Sequence, residues 1–165
     1  MKLNNLVLLF CFCLLTCLLS SVSAETIKLV NKSKSSYVIV VPEQVTAPEQ
    51  TAAKELQAYI KKSTGAELRI IPESKLSPKA PAIMVGKTTY SRKTGIIIKG
   101  EEEWIVKTVG NKLVLTGGIP RGTLYAVYHF LEDNLGIRWW TLWEESVPKY
   151  NSIILHPINR NGRPY

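Results

Sequence analysis

Cysteine is missing from most of the chain. All three cysteines fall within the first 24 residues, at Cys11, Cys13 and Cys17. The chain after residue 24 therefore contains neither a disulfide nor a thiolate metal ligand, and its fold must be held by its core alone. Histidine is also scarce, with only His129 and His156. Two isolated histidines form no ligand cluster of recognised spacing, so the sequence predicts no metal site and no cofactor.

The chain contains one extended apolar run, which has fewer residues than a membrane span needs. Met1 and Lys2 precede the apolar residues 6–19, which are followed by Val22-Ser23-Ala24. This order of charged, apolar and small residues is typical of a secretory signal peptide, with cleavage after Ala24. A stable span needs about 20 apolar residues, so we expect no permanent anchor. We predict a secreted or periplasmic protein.

A lipoprotein is the alternative to plain export. The signal would then end at Cys17, which would carry the lipid. Thr16 is a poor fit for the small residue that normally precedes a lipidated cysteine, so the lipoprotein hypothesis is the weaker of the two.

Clustered charge of one sign is also absent. The formal net charge is +8, and it falls to +7 when Lys2 is removed with the signal segment. The lysines are spread from Lys28 to Lys149, which indicates a solvated basic surface. We therefore predict no nucleic-acid partner, since a nucleic-acid site needs basic residues grouped on one face.

The length left after residue 24 suits one domain. Removing 24 residues from 165 leaves 141, which is enough for a single core but too few for a second full domain. No repeat and no low-complexity linker divides the chain. We predict a domain over residues 25–158 and a polar tail over residues 159–165.

The first half of the chain alternates strand and helix patterns. Thr46 and Glu49 have the spacing of a capping box, and a helix is predicted over residues 49–64. Gly65 should end this helix. Short β-branched or apolar runs predict strands at Ile27–Val30, 37–41, 67–71 and Ala82–Val85. The first two strands are expected to form a hairpin or a simple return, and residues 88–100 give no clear pattern.

The second half contains a hairpin and a long amphipathic helix. Strands at Trp104–Val109 and 113–116 flank the turn composition Gly110-Asn111-Lys112. The helix is expected to start with Pro120 in its first turn and to stop at Gly136. Its predicted apolar stripe consists of Leu124, Val127, Tyr128, Leu131 and Leu135. After the helix, residues 138–142 are expected to return to the sheet, with residues 152–155 as an edge strand.

These elements predict an α/β (α+β) fold. Neither apolar stripe can be buried alone, so both amphipathic helices must pack on a sheet. We expect a mixed β-sheet of about seven strands with the two helices packed on one face.

The helix region also carries a resemblance to a known family. The segments concerned are Gly117-Gly118, Arg121-Gly122-Thr123-Leu124-Tyr125, Phe130-Leu131-Glu132 and Leu135-Gly136-Ile137-Arg138-Trp139. They resemble the amino-terminal domain of bacterial α-glucuronidase-like glycoside hydrolases, and the related second domain of β-hexosaminidases is similar in plan. The resemblance covers residues 36–148. It implies a non-catalytic accessory module that precedes a catalytic barrel, with plant-type polysaccharide as the eventual substrate class.

The carboxylates of this chain do not suggest a catalytic pair. Glycoside hydrolysis uses two carboxyl groups about 5 to 9.5 Å apart. Glu132 and Asp133 should diverge by about 100° around a helix, and Glu144 and Glu145 should point to opposite faces of an extended segment. The run at residues 101–103 is predicted to be solvated. We therefore predict no catalytic residue.

The glycine-rich segment over residues 117–122 precedes the long helix. It could present backbone N–H groups to an anion. It lacks the lysine and the spacing of nucleotide-binding loops, so tight strand-to-helix packing is the favoured interpretation.

Aromatic and basic residues near the long helix are the candidate interaction residues. Trp139, Trp140 and Trp143 suit either stacking on sugar rings or packing at a domain interface. Alternation along a strand should bury one of Trp139 and Trp140 and expose the other. Arg121 and Arg138 could hold a uronate carboxylate, or could pair with neighbouring acidic side chains.

Three functional hypotheses follow. The leading one is an exported, non-catalytic accessory domain of a polysaccharide-degrading glycoside hydrolase. Its partner would be a catalytic (β/α)8 barrel of the same or a neighbouring protein, and the resemblance places residues 159–165 at the junction to that barrel. The alternative is an independent carbohydrate-binding or surface-interaction module, with polysaccharide as its partner. The third hypothesis is a stand-alone hydrolase.

Overall fold

A computed structural model gives the fold and describes residues 26–164. The predicted signal peptide and the predicted lipidation site at Cys17 lie outside the described residues. Within the described residues there are ten strands. They are β1 (Ile27–Val30), β2 (Val38–Val41), β3 (Ile70–Pro72), β4 (Ala82–Val85), β5 (Trp104–Val109), β6 (Lys112–Gly117), β7 (Arg138–Trp139), β8 (Glu145–Ser146), β9 (Ile153–Leu155) and β10 (Asn159–Gly162).

Three α-helices accompany these strands in the described part of the chain. They are α1 (Ala47–Thr64), α2 (Thr89–Lys93) and α3 (Gly122–Leu135). A short 3-10 turn follows β3 at Glu73–Lys75. The short helix α2 occupies part of residues 88–100, for which no element is predicted above.

Six strands form one mixed sheet in the order β10-β5-β6-β4-β2-β3. Strands β3, β2, β4 and β6 are parallel to one another, β5 is antiparallel to β6, and β10 is antiparallel to β5. The long helices α1 and α3 pack beside each other on one face of this sheet. The predicted α/β class, mixed sheet and shared helix face are confirmed, with six strands in the main sheet.

The main core lies between this sheet and the two long helices. Leu56 and Ile60 of α1 and Phe130 and Leu131 of α3 are completely buried there. A smaller cluster covers the opposite face around Val40, Ala82, Met84 and Val114. Every residue of β4 is buried, as expected for a central strand covered on both faces.

Helix α1 has the ends that its sequence predicts. The hydroxyl oxygen of Thr46 accepts from the Glu49 amide, and the Glu49 carboxylate accepts from the Thr46 amide at 3.0 Å. This reciprocal pair is a complete capping box. Gly65 ends the helix with a φ of 78°, a left-handed conformation that glycine adopts without a steric penalty.

Helix α3 begins later and faces the core differently than predicted. It starts at Gly122, so Pro120 lies before its first turn. Leu124 and Tyr128 are only half-buried, while Ala126 and Phe130 are fully buried. Because α3 contacts both the sheet and α1, its buried arc is wider than the predicted stripe and is rotated from it. Gly136 ends the helix as predicted, with a φ of 67°.

The hairpin of β5 and β6 is confirmed, and Trp104 pairs with Gly117 at its open end. The predicted hairpin of the first two strands is wrong. Strand β1 pairs instead with β9 in a separate two-stranded ribbon. Ile27 and Leu29 of β1 and Ile153 and Leu155 of β9 still point into the main core.

Two predictions for the end of the chain are also wrong. Residues 138–142 do not return to the sheet, because the amides of Trp140 and Thr141 donate to the Glu144 carbonyl and turn the chain back. Strands β7 and β8 therefore form their own ribbon. Residues 152–155 join β1 rather than the sheet edge. That edge is taken by β10, from the segment predicted to be a tail. None of the helices within residues 26–164 combines the length and apolar character of a membrane span.

Candidate functional site

Trp139 is an anchor inside the domain. Its indole N–H donates to the Tyr59 hydroxyl at 2.6 Å, and its ring meets Tyr59 and Tyr128 edge to face. These contacts hold the β7–β8 ribbon against α1 and α3. Trp139 is therefore the inward-facing member of the Trp139–Trp140 pair, as strand alternation predicts.

Glu145 fixes the second strand of this ribbon. Its carboxylate accepts from the Tyr59 hydroxyl at 2.6 Å and forms an ion pair with Lys62. The Lys62 ammonium and then the Tyr59 hydroxyl lower the pKa of Glu145. Burial, and then the hydrogen bond to Glu145, raise the pKa of Tyr59 to about 12. Tyr59 therefore stays protonated at neutral pH and donates to the carboxylate.

The turn between β7 and β8 presents three apolar side chains to solvent. Trp140 is 64% exposed, Leu142 is 93% exposed and Trp143 is 94% exposed. The Thr141 hydroxyl accepts from the amides of Trp143 and Glu144 at 3.2 and 3.0 Å, which fixes the backbone of the turn. We call Trp140, Leu142 and Trp143 the apolar tip. An exposed apolar group on an ordered turn is typical of an interaction site.

The two candidate arginines lie at opposite ends of α3. The Arg121 guanidinium donates to Glu102 at 2.6 and 3.2 Å, and Arg138 donates to the carbonyls of Glu132 and Ile137 at 2.7 and 2.8 Å. A helix of 14 residues is about 21 Å long. One carboxylate therefore cannot bind both arginines.

Several of the acidic residues considered as pairs have structural partners. Asp133 forms an ion pair with Arg160 at 2.9 Å, and Glu102 is held by Arg121. Glu103 is buried, and the amide of Lys99 is the main cause of its lowered pKa. These carboxylates connect elements of the fold to one another and do not face a common substrate site.

Histidine contributes to packing. The ring of His129 stacks on Trp104 at a centroid distance of 3.9 Å, and its Nδ1 lies 3.8 Å from the Asp133 carboxylate. His156 directly follows β9 and is exposed. Among residues 26–164, no three potential ligand side chains converge as a metal-binding group.

The glycine-rich segment permits three backbone segments to cross. A Cβ on Gly117 would collide with the Glu103 carbonyl and with the backbone of Gly122, and one on Gly118 would collide with the Gly100 carbonyl. The amide of Gly118 donates to the Glu103 carbonyl at 2.8 Å. Tight strand-to-helix packing, the favoured interpretation, accounts for these glycines.

A cleft that the sequence did not indicate lies at the carboxyl ends of β2, β4 and β6. Its volume is about 360 Å³. Its lining residues are Pro42, Glu43, Gln44, Thr46, Glu49, Glu73, Lys87, Arg92, Gly117, Gly118, Ile119, Pro120 and Thr123. They come from four separate segments of the chain, so no local sequence motif predicts the cleft. A pattern of polar residues after successive parallel strands is the one signal that was available.

Comparison with solved structures covers most of this chain. Among proteins with curated descriptions, none matches this chain. The solved structure of BtGH115A, described as a family GH115 4-O-methyl-α-glucuronidase with specificity for decorated arabinogalactans, is similar with a TM-score of 0.59 and 17% identity. The similarity covers 82% of this chain and 18% of that chain, and it shows a shared fold.

A chitobiase from Flavobacterium johnsoniae, FjGH20, is also similar, with a TM-score of 0.40 and 12% identity over 82% of this chain and 20% of that chain. This chain thus spans less than a quarter of the length of either protein. The sequence itself gives the more specific result. The profile of the family described as glycosyl hydrolase family 67 N-terminus matches residues 22–130. The chain belongs to the glycosyl hydrolase family 67 N-terminus family.

Proposed function

We propose that this chain is a non-catalytic accessory domain of an exported, polysaccharide-degrading glycoside hydrolase. In this proposal the apolar tip packs against a catalytic (β/α)8 barrel, which is supplied by the same or a neighbouring protein. Membership of the family and the likeness to the fold of a much longer glucuronidase support an accessory role. The accessory domain of this proposal includes strand β10, so it extends past residue 158 to Gly162.

The observation that carries the docking proposal is the composition of the apolar tip. Protein interfaces are enriched in tryptophan and bury apolar side chains at their centre. Sugar platforms use flat aromatic faces, and a leucine adds nothing to such a platform. Leu142 lies between the two tryptophans and is almost fully exposed. A protein partner explains all three side chains, while a sugar explains only two.

The state of the carboxyl groups supports a non-catalytic role. A glycosidase acid must hold its proton near neutral pH, which requires a raised pKa. Among the described residues, Glu43, Glu103 and Glu145 have shifted pKa values, and all three are lowered. Their causes are hydrogen bonds from Ser74, from the Lys99 amide and from Lys62, respectively. Hydrogen bonds of this kind favour the ionised form, which cannot donate a proton to a leaving group.

Titration calorimetry with a separately expressed family 67 catalytic barrel tests the docking. We expect Trp143→Ala to weaken binding by about thirtyfold, because truncation of a central interface anchor costs about 2 kcal/mol or more. Leu142→Ser should weaken it as well. Ile97→Ser is the matched control, since Ile97 is 72% exposed and far from the tip in sequence. Equal affinities of the wild type and both tip variants would refute docking through the apolar tip.

An independent carbohydrate-binding module is the second candidate function. Trp140 and Trp143 are both exposed on one ordered turn, and each offers a ring for sugar stacking. Affinity electrophoresis in gels containing xylan separates this function from docking. Retardation that is lost in Trp140→Ala and Trp143→Ala but kept in Leu142→Ser would support the carbohydrate module. Unretarded migration of the wild type would exclude it for that polymer.

A further inference from the structure

The cleft lies at a change of direction in the sheet. Strand β2 leads into α1 on one face, while β4 leads into α2 on the opposite face. The loops after β2 and β4 therefore separate, and they leave a crevice at the carboxyl ends of the strands. Open α/β sheets bind ligands at this kind of position. The cavity volume of about 360 Å³ is also within the usual range for small-molecule sites.

Three carboxylates hold the walls of the cleft in place. Glu43 accepts from the amide of Ser74 at 2.7 Å, and Glu73 accepts from the amide of Thr89 at 2.6 Å. Glu49 accepts from the amide of Lys87 at 2.9 Å. These bonds join the loop after β2, the 3-10 turn and the loop after β4. The cleft is preformed, and Glu73 keeps an oxygen that carries no hydrogen bond within the described part of the chain.

Unpartnered polar groups also line the cleft. Thr123 is only 4% exposed, yet its hydroxyl has no hydrogen-bond partner among residues 26–164. Within the same range, the Lys87 ammonium and the Gln44 amide form neither a hydrogen bond nor an ion pair. The Thr123 hydroxyl is thus unpaired at the wall of the cavity, where it can donate a hydrogen bond to a bound group or accept one from it.

The mixture of groups defines the ligand chemistry. Carboxylates only accept hydrogen bonds, whereas the ammonium of Lys87 and the guanidinium of Arg92 only donate them. A sugar hydroxyl does both, so adjacent hydroxyls can bridge a carboxylate and a cation. Three carboxylates against two cations disfavour an anionic ligand. Ile119, which is 63% exposed at the rim, offers an apolar surface for the C–H face of a ring.

We propose that this cleft binds one neutral sugar residue of a glycan. The site is separate from the apolar tip: Thr123 is in the first turn of α3, and the tip follows its last turn, about 21 Å away along the helix. The proposal does not depend on docking to a barrel. It gives the accessory domain a glycan-binding function that does not involve its tryptophans.

Amide chemical-shift titration of the chain with xylotetraose and cellotetraose tests the site, with glucuronate and phosphate as anionic probes. We expect saturable shifts at Lys87, Gly118 and Thr123 with at least one neutral sugar. Thr123→Val should weaken binding by about fivefold to tenfold, the effect of losing one hydrogen bond. Thr123→Ser keeps the hydroxyl and should retain the affinity.

Lys87→Met should also weaken binding about fivefold to tenfold and carries the test if Thr123→Val fails to fold. Lys54→Met is its control, since Lys54 lies on the exposed side of α1. Leu142→Ser should leave the sugar affinity unchanged, which separates this site from the apolar tip. Absence of shifts with both neutral sugars, binding of the anions alone, or equal affinities of the wild type and Lys87→Met would each overturn the proposal.

Discussion

At the scale of single residues, Glu145 shows how one carboxylate joins two elements. It connects β8 to α1 through Tyr59 and Lys62, and the same Tyr59 receives the indole N–H of Trp139 from β7. Both strands of the ribbon are therefore attached to one tyrosine. The apolar tip projects from this ribbon, so its position depends on a hydrogen-bond network rather than on main-sheet pairing.

This network predicts a dependence of stability on pH. The pKa of Glu145 is lower in the folded state, so its contribution is fully present above its unfolded pKa of about 4.3 and is lost as the pH falls through the folded value. We expect Glu145→Gln to lower the melting temperature at neutral pH. As the pH falls below about 4 and through the lower folded pKa, the difference from the wild type should shrink, because Glu145 then becomes protonated and neutral.

Thermal melts between neutral and acid pH measure this effect. Glu144→Gln is the control, because Glu144 is exposed and its side chain forms no hydrogen bond among the described residues. A gap between Glu145→Gln and the wild type that stays constant down to low pH would show that Glu145 does not act through its charge.

At the scale of elements, α3 determines how the two layers fit together. Its buried face includes Ala126 and Phe130 in addition to Val127, Leu131 and Leu135. Ala126 is a small residue on the buried face of a helix that contacts both α1 and the sheet. Helices approach each other most closely where their side chains are small. The buried face of α3 therefore combines small and large side chains and is wider than a stripe of large residues alone.

Substitutions on α3 measure its burial. We expect Leu131→Ala to lower the free energy of unfolding by about 2 to 5 kcal/mol, because Leu131 is completely buried and its removal leaves a cavity. Asn134→Ala, three residues along on the exposed side, should change it by less than about 0.5 kcal/mol. Urea denaturation gives both values. Similar small losses in the two variants would mean that α3 does not pack as described.

Local sequence signals predict where helices and turns lie better than they predict which strands pair with each other. Four predicted features depend only on residues adjacent in sequence, and all four are confirmed. They are the capping box at Thr46, the helix ends at Gly65 and Gly136, and the β5–β6 turn. The pairing of β1 with β9 joins segments more than 100 residues apart, so no local pattern encodes it. The cleft was missed for the same reason, since its walls meet only in the folded chain.

At the scale of the whole molecule, the two candidate interaction regions lie at opposite ends of α3. The cleft opens at the carboxyl ends of the parallel strands, and the apolar tip projects beyond the other end of the helix. A partner bound at the tip therefore leaves the cleft open. Under the two proposals made above, the domain would hold a glycan and contact a catalytic domain at the same time, and linked binding events of this kind raise the local concentration of substrate.

The last prediction is that the purified chain hydrolyses no glycoside, including fragments of 4-O-methylglucuronoxylan. A (β/α)8 barrel needs eight parallel strands and about 250 residues, whereas residues 26–164 are committed to a mixed sheet, two ribbons and three helices. The lowered pKa values of Glu43, Glu103 and Glu145 favour the ionised form of these three groups, which cannot donate the proton that a glycosidase acid must supply. Sugar release is measured with protein free of host glycosidases, alone and with the catalytic barrel added. Release by the chain alone, in proportion to its concentration and abolished by Glu43→Gln or Glu73→Gln, would contradict the prediction and identify the cleft as an active site.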